Sequence, residues 1–110
     1  FDPCPLNSSE DGLKVKWGGA IYCNPPYSKI PGFIRKGLSH LACGEASLLV
    51  YLLPARTDTA WFHDYCIRAS EIRFLRGRLK FGDAKFNAPF PSMVVVFKEW
   101  SISQTPLEAA

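Results

Sequence analysis

The chain holds 110 residues, 47% of them apolar, 14% aromatic and 21% charged, a length and balance that describe one compact globular domain and exclude wholesale disorder. Its longest apolar stretch, residues 46–53, is far too short to cross a bilayer, so an integral membrane protein is excluded and no membrane partner is expected. The net charge of +3 is unevenly placed: residues 68–85 hold Arg68, Arg73, Arg76, Arg78, Lys80 and Lys85 against only Glu71 and Asp83. That excess points to a polyanionic partner, the alternative being a solvated surface face.

No Lys/Arg cluster followed by an apolar run opens the chain, so no signal peptide is expected. The first residue is Phe rather than Met, which reads as processing or as a start inside a longer gene product that lacks an upstream segment here. The four cysteines (Cys4, Cys23, Cys43 and Cys66) include no CxxC pair, and only two histidines accompany them. Partly buried thiols in a reducing cytoplasm are therefore expected, with no metal and no disulfide.

The first 19 residues, rich in Pro, Asn, Ser, Asp and Gly, read as mostly irregular. Ala20-Ile21-Tyr22-Cys23 reads as a buried strand ending at Asn24-Pro25-Pro26. Apolar residues at Ile30, Phe33, Ile34, Leu38 and Leu41 fall on one face of a helix, with Pro31 suited to its first turn and Gly44 to its end. Ser47 to Leu53 lacks alternation, as a strand buried on both faces of a parallel sheet would. Thr57 or Asp58 is suited to cap a second helix carrying Ala60, Trp61, Phe62 and Tyr65. Glu71 to Leu75 and Ser92 to Phe97 read as two further strands, and the residues beyond Trp100 as a tail. Alternation of strand and helix predicts an α/β fold with a mostly parallel sheet, helices packed on it, and an antiparallel last strand, because no helix separates the final pair. Residues 1–100 form a single domain on this reading and 101–110 its C-terminal tail. A sheet of so few strands invites a homo-oligomer.

Asn24-Pro25-Pro26-Tyr27 is the most informative tetrapeptide. Two prolines fix φ and remove two amide donors, which leaves a stiff loop that presents carbonyls. Asn24 adds an uncharged amide oxygen as acceptor, and Tyr27 adds a π-face for a planar ring. Such a slot suits a flat group bearing an NH2. An exocyclic amine on adenine is a poor nucleophile because its lone pair is delocalised into the ring. Acceptors at the Asn24 side chain and the Pro25 carbonyl hold both N–H bonds and aim the lone pair at an electrophilic methyl, so that positioning and fixed dipoles supply the rate. The competing interpretation is a proline-rich turn with Tyr27 as an anchor. A proline-rich ligand motif is disfavoured, since no PxxP forms around these prolines.

The tetrapeptide resembles the [D/N/S]-P-P-[Y/F/W] motif of amino methyltransferases that use S-adenosylmethionine. More of the chain is similar to one branch, the phage-type DNA N-6-adenine methyltransferases (Dam-like). The matching stretches are Phe1-Asp2-Pro3-Cys4-Pro5-Leu6-Asn7, Asp11-Gly12-Leu13, Leu53-Pro54-Ala55-Arg56-Thr57-Asp58-Thr59, Trp61-Phe62-His63, Arg76-Gly77-Arg78-Leu79-Lys80-Phe81 and Ala88-Pro89-Phe90-Pro91-Ser92. The resemblance implies a truncated Rossmann-like methyltransferase sheet and transfer of a methyl group from S-adenosylmethionine to N6 of an adenine flipped out of DNA. It also implies a location in the cytoplasm of a bacterium or phage-infected host. By it, Asn24, Pro25, Pro26 and Tyr27 form the target-adenine pocket, and Asp2, Pro3 and Cys4 sit by the methyl donor.

Asp11 can accept from the donor's adenine, although Asp11-Gly12 is also a turn signal. Arg76, Arg78 and Lys80 alternate with Gly77 and Leu79, so an extended chain would point all three to one side to grip phosphates. A charged strand edge is the alternative. Arg56, between a strand end and a helix start, is placed to reach DNA or a cofactor carboxylate, or to pair with Asp58 or Asp64. His63 reads as a packed helix residue rather than a general base, and Trp17 and Trp61 as core. Rival functions are a DNA-binding module or inactive fragment without catalysis, and methylation of an RNA amine or a glutamine amide.

Overall fold

The computed structural model describes residues 2–3, 12–13, 17–79 and 90–98. Strand β1 (Gly19–Cys23) leads through a 3-10 turn (Tyr27–Lys29) into helix α1 (Ile30–Ala42). Strand β2 (Ala46–Pro54), the short helix α2 (Ala60–Asp64), a second 3-10 turn (Cys66–Arg68), strand β3 (Glu71–Phe74) and strand β4 (Ser92–Lys98) follow. Among the described residues no helix is long and apolar enough to cross a membrane.

Helix α1 forms where its apolar residues recur at helical spacing, and it buries Ile30, Phe33, Ile34, Gly37 and Leu41. Pro31 falls in its first turn, where a missing N–H costs nothing. Its end is a Schellman motif: Gly44, at φ +80°, donates to Leu41 O, and Glu45 N donates to His40 O, a closure that favours glycine at the left-handed position. Helix α2 is capped by Thr59 rather than by Thr57 or Asp58. Thr59 has the extended backbone a cap needs, and its Oγ1 accepts from Phe62 N at 3.3 Å.

The strands lie in the order β1-β2-β4-β3. Among the described residues only β1 and β2 pair in parallel, and β4 is antiparallel to both β2 and β3. The α/β class and the antiparallel last strand stand, but the expected mostly parallel sheet does not. β4 runs against β3, its sheet neighbour, as well as against β2, so the last strand reverses the direction shared by the first three. The central place goes to Met-Val-Val-Val-Phe, which buries side chains on one face and half-buries them on the other, while the charged β3 is left at an edge.

One sheet face carries the core. Ile21, Leu49, Tyr51, Leu53, Met93, Val95 and Phe97 pack there with Trp17, with Phe33 and Ile34 of α1 and with Phe62 of α2. The other face presents Leu48, Val50, Leu52, Val94 and Val96, each half-buried, and Tyr22, which is 57% exposed. β1 and β2 are thus fully buried on one face only, against the expectation of buried strands. Trp61 packs partly buried against the core. Cys23 and Cys66 are buried, but Cys43 is exposed. Burial pushes the Cys66 thiol up to about 12.

Two buried polar groups are satisfied inside this core. Trp17 Nε1 donates to Gly12 O at 2.8 Å, and the Tyr51 hydroxyl donates to Phe33 O at 2.7 Å. Gly37 makes room for the second bond. A Cβ at Gly37 would overlap the Tyr51 hydroxyl and crowd Leu49 Cδ1 and Trp17 Cζ3, each at 3.1 Å. Gly37→Ala should therefore lower stability by about 1–3 kcal/mol despite alanine's better helix propensity, read as a fall in the urea midpoint. Adding Tyr51→Phe should restore part of the loss, whereas independent sites would add.

Candidate active site at the carboxyl end of the sheet

β1, β2 and β3 run in one direction and β4 in the other. The loops leaving the first three strands and the segment entering β4 therefore gather at one end of the sheet. Asn24 follows β1, Arg56 follows β2, Arg76 and Arg78 follow β3, and Phe90 precedes β4. Open α/β sheets bind ligands at this end.

At the end of β1, Asn24, Pro26 and Tyr27 are exposed and Pro25 is buried. Pro26 is extended (φ −61°, ψ 138°), and its carbonyl accepts from Lys29 N at 2.9 Å. That bond closes the 3-10 turn which swings Tyr27 away from the strand. A cavity of about 260 Å³ lies beside Asn24, floored by Tyr22, Val50, Leu52 and Val94 and bordered by Asp2. The structure thus brings Asp2 and Asn24 to one cavity with an apolar floor. Pro25, Pro26 and Tyr27 do not line it.

Tyr27 instead belongs to a neighbouring cluster. Its ring meets Phe90 edge-on, with centroids 5.0 Å apart and planes at 86°. The Arg56 guanidinium stands over the same Phe90 ring, 5.4 Å from its centroid. No ion pair joins Arg56 to Asp58 or Asp64 among the described residues. Tyr27 is still 49% exposed. Partial burial raises its phenol above the ordinary tyrosine value, and the Arg56 charge opposes that rise, so the ring is a neutral plate at physiological pH.

Arg76 and Arg78 are exposed but do not alternate along an extended chain. β3 stops at Phe74, and Gly77 has φ +76°, a left-handed turn that breaks the period of two between them. Cys4, Asp11 and Lys80 lie outside the described residues, and Pro3 is buried. His63 is exposed rather than packed, its Nε2 2.7 Å from Thr57 O. Sequence reasoning missed Tyr22 as a cavity residue and Phe90 as a site residue. The period of two in β1 signalled Tyr22, since Ile21 and Cys23 take the core face.

The residues fit part of a donor site. A carboxylate at the rim accepts from a hydroxyl or an amino group, and the apolar floor suits a ring. The cavity is just below the roughly 300–1,000 Å³ usual for small-molecule sites.

The model of the family described as DNA N-6-adenine-methyltransferase (Dam) matches residues 5–109. A DNA N-6-adenine-methyltransferase of Escherichia phage T1 is 31% identical over 75 residues, which cover 66% of this chain and 31% of that protein. The chain thus spans about a third of the length of the curated relative it matches. No solved structure matches.

Thr59 ties the Arg56 segment to α2. Its Oγ1 donates to Arg56 O at 2.8 Å and accepts from Phe62 N. Thr59→Ala should cost about 1 kcal/mol of stability, and Thr59→Ser should retain most of it. Denaturant melts of the two variants check this.

Proposed function

Because the chain belongs to the DNA N-6-adenine-methyltransferase family, we propose that it holds the base-binding site of an enzyme that methylates N6 of adenine in DNA with S-adenosylmethionine as donor. The observation that carries this reading is Asn24, exposed at the carboxyl end of β1 beside a cavity that Asp2 borders. We read the sheet as part of a Rossmann-like one, a reading supported by three strands sharing a direction with these loops at their ends.

When bound, S-adenosylmethionine supplies an electrophilic methyl group. The chain's residues do the positioning. Asn24 Oδ1 accepts one N6–H of the adenine, and the Pro25 carbonyl accepts the other. The prolines hold both acceptors still, so little reorganisation is needed as charge develops on the nitrogen. The exposed part of the Tyr27 ring stacks on the base, which must first leave the duplex. Asp2 receives a hydroxyl or amino group of the donor. Arg56, Arg76 and Arg78, spread from β2 to β3 along one end of the sheet, take backbone phosphates. Their loops span two strand spacings, about 10 Å, a scale that suits a nucleic-acid backbone better than a glutamine side chain.

Asn24→Ala should lower transfer of radiolabelled methyl to adenine-containing DNA by roughly 10²–10³-fold, with the urea midpoint unchanged. Full transfer by the variant would remove Asn24 from the chemistry. A second reading, a DNA-binding module without catalysis, draws on the small cavity and on a span of 31% of the phage relative. Calorimetric titration with S-adenosylhomocysteine separates the two: heat of binding supports the enzyme, and none from a folded, DNA-binding chain supports the module.

A further inference from the structure

We infer that Phe90 is a positioning residue that couples phosphate grip to base stacking: its ring holds the Arg56 guanidinium beside Tyr27, so that Arg56 takes the phosphate flanking the extruded nucleotide. The inference rests on the base-binding reading of Tyr27 given above.

Phe90 is 8% exposed, although it stands in an irregular segment before β4. The backbone around it is tied to two strand exits at once. Pro91 O accepts from Ala55 N at 2.8 Å, beyond β2, and Ser92 O accepts from Leu75 N at 2.9 Å, beyond β3. A ring fixed in this way is a rigid post. Tyr27 meets it at 86° and 5.0 Å, and Arg56 lies over it at 5.4 Å.

Each contact has a separate physical basis. An edge-to-face pair sets the tilt of Tyr27 and leaves part of that ring open for a base. A cation over an aromatic face is held by the ring quadrupole, which restricts a long side chain that solvent would otherwise let wander. The Arg56 carbonyl is fixed as well, since Thr59 Oγ1 and Thr59 N both donate to it. Guanidinium and plate then share a single ring. A stacked base and its own phosphate likewise share one sugar, so a cation in this place meets the backbone at the target nucleotide. The fork of N–H donors on arginine suits that phosphate.

The variants Phe90→Leu, Phe90→Tyr, Arg56→Ala and the Phe90→Leu/Arg56→Ala pair test this. The probe is a fluorescein-labelled DNA duplex with adenine opposite an abasic position, read by anisotropy across a salt series. Phe90→Leu and Arg56→Ala should each lower the slope of log K against log salt by about 0.9, the value of one phosphate contact. The double variant should lose no more than either alone, and Phe90→Tyr should keep the wild-type slope. Without DNA, the Arg56 Nε–H resonance should sit upfield in the wild type through the ring current and return downfield in Phe90→Leu. A wild-type slope in Phe90→Leu while Arg56→Ala loses a contact would overturn the inference, as would two separate losses in the double variant. If Asn24→Ala kept full methyl transfer while Phe90→Leu still lost the contact, the amine-holding chemistry would fall and the coupling would stand.

Discussion

Pairing of β4 with β2 along residues 48–54 is the constraint on which the rest of the molecule depends. It seats the most apolar late segment against the most apolar early one, so that Met93, Val95 and Phe97 complete the core begun by Leu49, Tyr51 and Leu53. Because the pairing is antiparallel, the beginning of β4 lies beside the end of β2, with Ser92 opposite Pro54. Phe90 is thereby carried to the sheet end where β1, β2 and β3 finish. A parallel β4 would have delivered Phe90 to the opposite end, far from Tyr27 and Arg56. The geometry of the candidate site is thus a consequence of strand direction, settled by hydrophobic burial elsewhere.

Much of the local structure can be read from residues a few positions apart. Ile30, Phe33, Ile34 and Leu41 announce α1, Gly44 its left-handed close, and Asn24-Pro25-Pro26 the end of β1. Signals of this kind are carried by chain geometry and need no knowledge of neighbours. What could not be read depends on lateral order or on competition between equivalent residues. Nothing in residues 71–98 states that β4 slips between β2 and β3. Thr57, Asp58 and Thr59 are all competent caps, and Thr59 serves because its side chain reaches Phe62 N while its own backbone is extended. Arg76 and Arg78 have the spacing of an extended chain, but the positive φ of Gly77 turns the backbone between them.

The site shows the same division. Asn24, its two prolines and Tyr27 are four consecutive residues, so their chemistry could be argued before any fold was known. The cavity beside Asn24 could not. Its floor comes from β1, β2 and β4 together, and only the assembled sheet places Tyr22 next to Val50 and Leu52 next to Val94. Phe90 is more remote still: Tyr27 lies 63 positions upstream, and the contact between them exists only because β4 reverses direction.

The arrangement also resolves an electrostatic conflict within the proposed chemistry. A grip on DNA calls for cations, but an amine that must become more nucleophilic is poorly served by a cation in contact with it, which would disfavour the positive charge the nitrogen acquires. Here the arginines stand after β2 and β3, and the amide and carbonyl acceptors stand after β1. Arg56, whose charge reaches Tyr27, is held over the face of Phe90 rather than against the acceptors of Asn24 and Pro25 in the proposed chemistry. In the proposed reaction, neutral acceptors with oriented dipoles stabilise the developing charge where the bond forms, and the positive groups act at the backbone, where they supply affinity.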